Sequence, residues 1–135
     1  MCLTLNVFVP VVNASRGPAL AGLELDPRGE IQPDFVAWHA RERGTYLHVY
    51  GGAMCLCGFH DWSALYGLAR DLLERNQAPY VSMLRFWSGA RYDLIERAVD
   101  VDDTAHHAPI DDGEIVHVRR QLAPRRRPRV VVHAY

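Results

Sequence analysis

The residues best suited to chemistry lie in one short run, Cys55-Leu56-Cys57-Gly58-Phe59-His60-Asp61, between a Gly-Gly pair and a helical pattern. Two thiolates and an imidazole this close can share one metal ion, and Gly58 leaves the backbone free to wrap around it. Cys2, at the start of the first predicted strand, is the candidate fourth ligand. Zinc or iron is the cofactor such a set would take. The spacing also speaks against a metal. Structural zinc sites use two ligand pairs far apart in sequence, whereas only one cluster is present here. The same residues allow thiol chemistry. A cysteine just before a helix N-terminus gains from the positive end of the macrodipole, so Cys57 or Cys55 is a candidate nucleophile with His60 as base. The plainest reading makes the cysteines core residues, as free cysteines commonly are.

A second constellation is acidic. Asp93, Glu96, Asp100, Asp102, Asp103, Asp111, Asp112 and Glu114 face a single Arg97 in that stretch and enclose His106-His107. Carboxylates with imidazoles can take Mn²⁺, Fe²⁺ or Zn²⁺, but no EF-hand spacing is present, and a solvated loop accounts for most such runs. A third is basic, with Arg119, Arg120, Arg125, Arg126, Arg127 and Arg129 crowded together. Arginine pairs bidentately with phosphate, yet no aromatic residues for base stacking interleave the cluster. Nucleic acid is therefore not expected as a partner. Neutralisation by the neighbouring acidic run is the simpler expectation, with a docking patch for an acidic protein as the alternative.

Composition removes whole classes of function. All 15 cationic residues are arginine, and the chain has no lysine. A P-loop, a pyridoxal phosphate Schiff base and an ordinary kinase each need a lysine at the reacting group. GxSxG, HExxH, GxGxxG after a strand and the zinc-deaminase PCxxC are also absent. The net charge of −1 gives no long-range attraction to nucleic acid or an anionic membrane. No apolar run approaches the 18 or so residues of a membrane span, so no membrane partner is expected. Met1 to Val12 is apolar but lacks the basic start of a signal peptide. Three cysteines, two of them one residue apart, do not form a disulfide framework, so a cytoplasmic location is expected.

The elements that must position these groups follow from periodicity. A length of 135 residues fits a single domain, 1–135. Leu3, Leu5, Val7 and Val9 alternate with Thr4, Asn6 and Phe8, which predicts a half-buried strand ended by Pro10. Further strands are predicted near 23–26, over 45–50 and 80–87, then over 94–101, 115–120 and 129–135. The 94–101 segment is expected to pair with 80–87 through a turn at Ser88-Gly89. Asp61 caps a long amphipathic helix, about 61–77, with Trp62, Leu65, Leu68, Ala69, Leu72 and Leu73 on one face and Pro79 forbidding continuation. A short helix over about 34–43 would start at Asp34 and stop at Gly44.

The order of elements implies an α+β fold. It consists of a mostly antiparallel sheet of about five to six strands, with the helices packed on one face. The aromatic residues are expected as core anchors, although a concave sheet face lined by several of them would suit a small apolar ligand. Lone strand histidines such as His48 and His117 are expected to be hydrogen-bonded structural residues. The leading functional reading is a non-enzymatic domain that binds a protein partner or a small ligand. A metal-binding protein built on Cys55, Cys57, His60 and Cys2 is the first alternative, and a thiol-dependent enzyme the second. Pairing through an edge strand, the last one for instance, would give a homodimer.

Overall fold

The computed structural model describes residues 3–17, 22–51, 61–87, 95, 97–102 and 109–120, together with the backbone of 131–134. The chain is α+β, as expected. Seven strands, β1 (Leu3–Val9), β2 (Leu23–Asp26), β3 (Thr45–Gly51), β4 (Tyr80–Trp87), β5 (Arg97–Asp102), β6 (Glu114–Arg119) and β7 (Val131–Ala134), form one sheet. Their order across it is β2-β3-β1-β4-β6-β5-β7. Every neighbouring pair is antiparallel except β5 and β6, which run parallel. Two helices, α1 (Pro33–Trp38) and α2 (Trp62–Asn76), complete the described elements. Among the described residues no helix is long and apolar enough to cross a membrane.

Helix α2 follows its pattern closely. The Asp61 carboxylate accepts from the Ala64 N–H at 3.1 Å, closing the N-terminus. Gln77, at φ 52°, takes the left-handed conformation that ends the helix, and the Ala78 N–H reaches back to the Leu73 carbonyl. Seven residues of its apolar face are buried. They pack on Leu3, Leu5, Val7 and Val9 of β1, on Val81 and Met83 of β4, and on Val116 and Val118 of β6.

Helix α1 covers the opposite face. Its Phe35 packs with Phe8, Tyr80, Leu84, Phe86 and Ile115, all from the alternate positions of the same strands. This placement explains why β1 is buried along its whole length, where alternation had suggested a half-buried strand. Thr4 and Asn6 are polar at 4% and 0% exposure because a second layer lies over them. Asn6 anchors that layer. Its amide donates to the Glu30 carbonyl at 2.8 Å and accepts from the Gln32 N–H at 2.8 Å. Gln32, and not Asp34, then caps α1, its side chain accepting from the Asp34 N–H at 3.2 Å with Pro33 in the first turn. The helix also ends earlier than Gly44 suggested, at Trp38, with turns continuing to Glu42. Gly44 serves a different purpose: a Cβ there would collide with the Val9 carbonyl and the Phe8 ring.

The position of β5 differs from the expected hairpin. It pairs with β6 and β7, and β6 lies between it and β4. The cause lies in side-chain polarity. Strand β6 is buried from Glu114 through Val118 and belongs inside the sheet, whereas β5 carries Arg97, Asp100 and Asp102 and belongs near the edge.

Candidate functional site

The register of the sheet builds a transverse row of side chains on the α1 face. Tyr46 opposes Phe8, Phe8 opposes Ser82, Ser82 opposes His117, and His117 stands beside Asp100. Opposed residues in a sheet lie close enough for side-chain contact, so five strands contribute to one continuous line. A second row, one step along the strands, sets Tyr80 against Arg119 and Arg119 against Asp102. The turn after α1 lowers His39 onto the first row, where its ring stacks on Phe8 at 4.1 Å.

Three buried polar groups meet at that point. His39 Nδ1 lies 2.8 Å from the Phe35 carbonyl, His39 Nε2 lies 3.0 Å from Ser82 Oγ, and Ser82 Oγ lies 2.6 Å from His117 Nδ1. The direction of the chain can be deduced for a neutral His39. A carbonyl only accepts, so His39 Nδ1 carries the hydrogen and Nε2 is an acceptor. Ser82 must give its single hydrogen to His39, and His117 Nδ1 must therefore donate to Ser82. Burial lowers the His39 pKa by penalising the charged ring, while its bond to the Phe35 carbonyl pulls the other way. That direction agrees with the neutral form used in the deduction.

Above this floor lies an open cleft of about 370 Å³. The end of α1 and the turn after it contribute Trp38, His39 and Arg41, and the sheet contributes Tyr80, His117 and Arg119. The His117 ring meets Tyr80 edge-on at 5.5 Å, and the Arg119 guanidinium lies 5.0 Å above the Tyr80 ring. Arg119 Nε also pairs with Asp100 at 3.1 Å. A larger hollow of about 420 Å³ is lined by Arg16, Leu23, Glu24, Leu25, Tyr50 and Leu68 together with Gly17. Its polar groups already serve one another: Arg16 donates to the Leu25 carbonyl at 3.1 Å, and Tyr50 is hydrogen-bonded to Glu24. The cleft beside α1 is the better candidate site.

The sequence-predicted ligands Cys2, Cys55, Cys57 and His60 lie outside the described residues, as do Asp93, Glu96, Asp103, His106, His107 and Arg125 to Arg129. Among the described residues no group of three or more His, Cys, Asp or Glu side chains could hold a metal ion. Four of the described carboxylates of the acidic run are instead paired with arginine. Asp100 meets Arg119, Glu114 and Asp111 meet Arg97, and Asp112 meets Arg85 at 3.2 Å. Arg120 donates to the Leu73 carbonyl at the end of α2. His117 and His48 are hydrogen-bonded strand residues, the latter 3.2 Å from the Glu30 carbonyl.

Periodicity did not single out His39, Ser82, Tyr80 or Arg119 as one group. A signal was nevertheless present, because Ser82 stands in an apolar run of β4, Tyr80 to Leu84, and His117 stands between Val116 and Val118 of β6. A polar residue in a strand covered on both faces needs a buried partner. Neither a protein-family model, nor a curated protein, nor a solved structure matches this chain.

Proposed function

We propose that this protein is a non-enzymatic binding domain that takes a small ligand in the cleft between the α1 turn and the β4–β6 surface. The observation that carries this reading is the convergence of aromatic, cationic and hydrogen-bonding side chains over a floor fixed by the His39–Ser82–His117 chain. Concave, partly aromatic sites with a few oriented polar groups are the usual form of small-molecule pockets. A fixed floor lowers the entropy lost on binding. Catalysis by Ser82 is disfavoured because the hydroxyl that would attack belongs to a residue at 0% exposure.

The test is a screen of single-ring fragments followed by NMR of the Trp38 indole and the His117 imidazole. Movement of both signals by one fragment series at low millimolar concentration is the expected result. Shifts confined to Tyr50 and Arg16, or no shifts at all, would remove the α1 cleft as the site.

A further inference from the structure

Two groups in the cleft are held in place with hydrogen-bonding capacity to spare. Arg119 is fixed from two sides, by Asp100 at its Nε and by the face of Tyr80 beneath its guanidinium. Its terminal nitrogens have no partner among the described residues, and its side chain is 46% exposed. Tyr80 is the second group. Its ring is largely buried, but its hydroxyl is not among the buried unpartnered atoms and has no hydrogen-bond partner among the described residues, so it stays accessible at the cleft. Both groups can donate, and both line the same hollow.

We infer that the ligand of this cleft is a small aryl carboxylate, held by the Arg119 fork and the Tyr80 hydroxyl with its ring against Trp38. This inference rests on the α1 cleft being the ligand site. A planar two-oxygen anion matches the paired N–H groups of a guanidinium in a way a single point charge does not. Charge disfavours a dianion. Arg41 and Arg119 are offset by Glu42 and Asp100, so a phosphate dianion would be less well neutralised here than a single carboxylate. Trp38, half-buried at the end of α1, is the wall that suits a ring, since the Tyr80 face is already covered by Arg119, and about 370 Å³ accommodates one ring with a short side chain.

The experiment titrates the full chain with benzoate, phenylacetate, benzamide and inorganic phosphate. Trp38 and His117 signals report position, and titration calorimetry reports affinity. One of the two carboxylates is expected to bind about tenfold or more tighter than benzamide and phosphate, consistent with a charge-assisted pair being worth at least ~1.4 kcal/mol. Arg119→Gln is expected to weaken that binding about tenfold, and Tyr80→Phe by a few-fold. Should Arg119→Gln not fold, Arg119→Lys keeps the charge and removes the fork, and weaker binding is again expected. If benzamide moves Trp38 and His117 as readily as benzoate, the cleft stands and the carboxylate assignment falls. Equal binding of phosphate alone, or unchanged binding in the Arg119 variants, also overturns the assignment. Silence of both signals with all four probes overturns the assignment and the cleft together.

Discussion

On the α2 side of the sheet, Leu5, Val7, Val81, Met83, Val116 and Val118 pack with Leu65, Leu68, Leu72 and Leu73, and polar groups come in only at its margin, with the Tyr66 phenol, the Trp62 indole and the Glu114 carboxylate at the start of β6. On the α1 side the same strands send out Asn6, Ser82 and His117, which are buried almost as deeply. The first surface is covered by a helix of 15 residues with an apolar stripe, the second by a helix of six held down through Asn6 and Gln32. Non-directional apolar contact tolerates any close-packed arrangement, whereas hydrogen bonds demand particular distances and angles. The α2 face is therefore suited to stability, and the α1 face to holding specific groups at specific points beside a cleft.

The largest test of that contrast is Leu72→Ala on the dry face. Leu72 is fully buried, and deleting a buried leucine side chain typically costs ~2–5 kcal/mol through lost transfer energy and the cavity left behind. Urea unfolding should show a lower midpoint with an unchanged slope. Binding in the α1 cleft should survive wherever the protein is folded. If Leu72→Ala instead costs under 1 kcal/mol, the α2 face is not the main source of stability.

Ser82→Ala tests the other face. It removes the donor to His39 Nε2 and the acceptor of His117 Nδ1 in one step, with almost no change in volume. Leaving buried polar groups without these partners should cost ~1–3 kcal/mol, below the cost expected for Leu72→Ala. The expected signature in NMR is loss of the fixed His39 and His117 ring positions, while the α2 amides keep their shifts. A destabilisation larger than that of Leu72→Ala would reverse the assignment of roles between the faces.

The same contrast explains what was legible in the sequence. Helix α2 could be read almost to the residue because its stripe, cap and terminating Pro79 are all local signals. Strand β1 was legible as a strand but not as a doubly buried one. Asn6 and Phe8 look solvent-facing until the α1 segment is placed over them, and that placement depends on Asn6 bonding to residues 30–32. The cap of α1 was misassigned to Asp34, although Pro33 pointed to Gln32 as the preceding cap. The order of β4, β6 and β5 depends on which strand can leave charges near an edge, a comparison between segments far apart in the chain. The cleft was least legible. Its row of Phe8, Ser82 and His117 exists only once the registers of three strands are fixed, and His39 joins it from a turn with no periodicity to read.

The smallest expected effect concerns protons. His39 is surrounded by Phe8 from β1, Phe35 from α1, Tyr46 from β3, Ser82 from β4 and His117 from β6. Among the described residues no carboxylate or arginine is hydrogen-bonded to its ring. Burial depresses its pKa below the ordinary 6.5, so the folded state favours the neutral ring. In the unfolded chain the same ring takes up a proton near pH 6.5, which makes unfolding easier as the solution is acidified. The His39 contribution is therefore fully present above about pH 6.5 and is lost as pH falls through that value towards the depressed folded pKa. Stability should decline from pH 7.5 to 5.5, and the decline should be shallower in His39→Phe, which keeps the stack on Phe8 and removes the titrating group. The ring signal of His39 in the folded protein should titrate below that of a free histidine. A His39 midpoint at or above the ordinary value would show that the Phe35 carbonyl outweighs burial. The α1 face would then hold a charged ring, and the neutral tautomer chain through Ser82 would have to be abandoned.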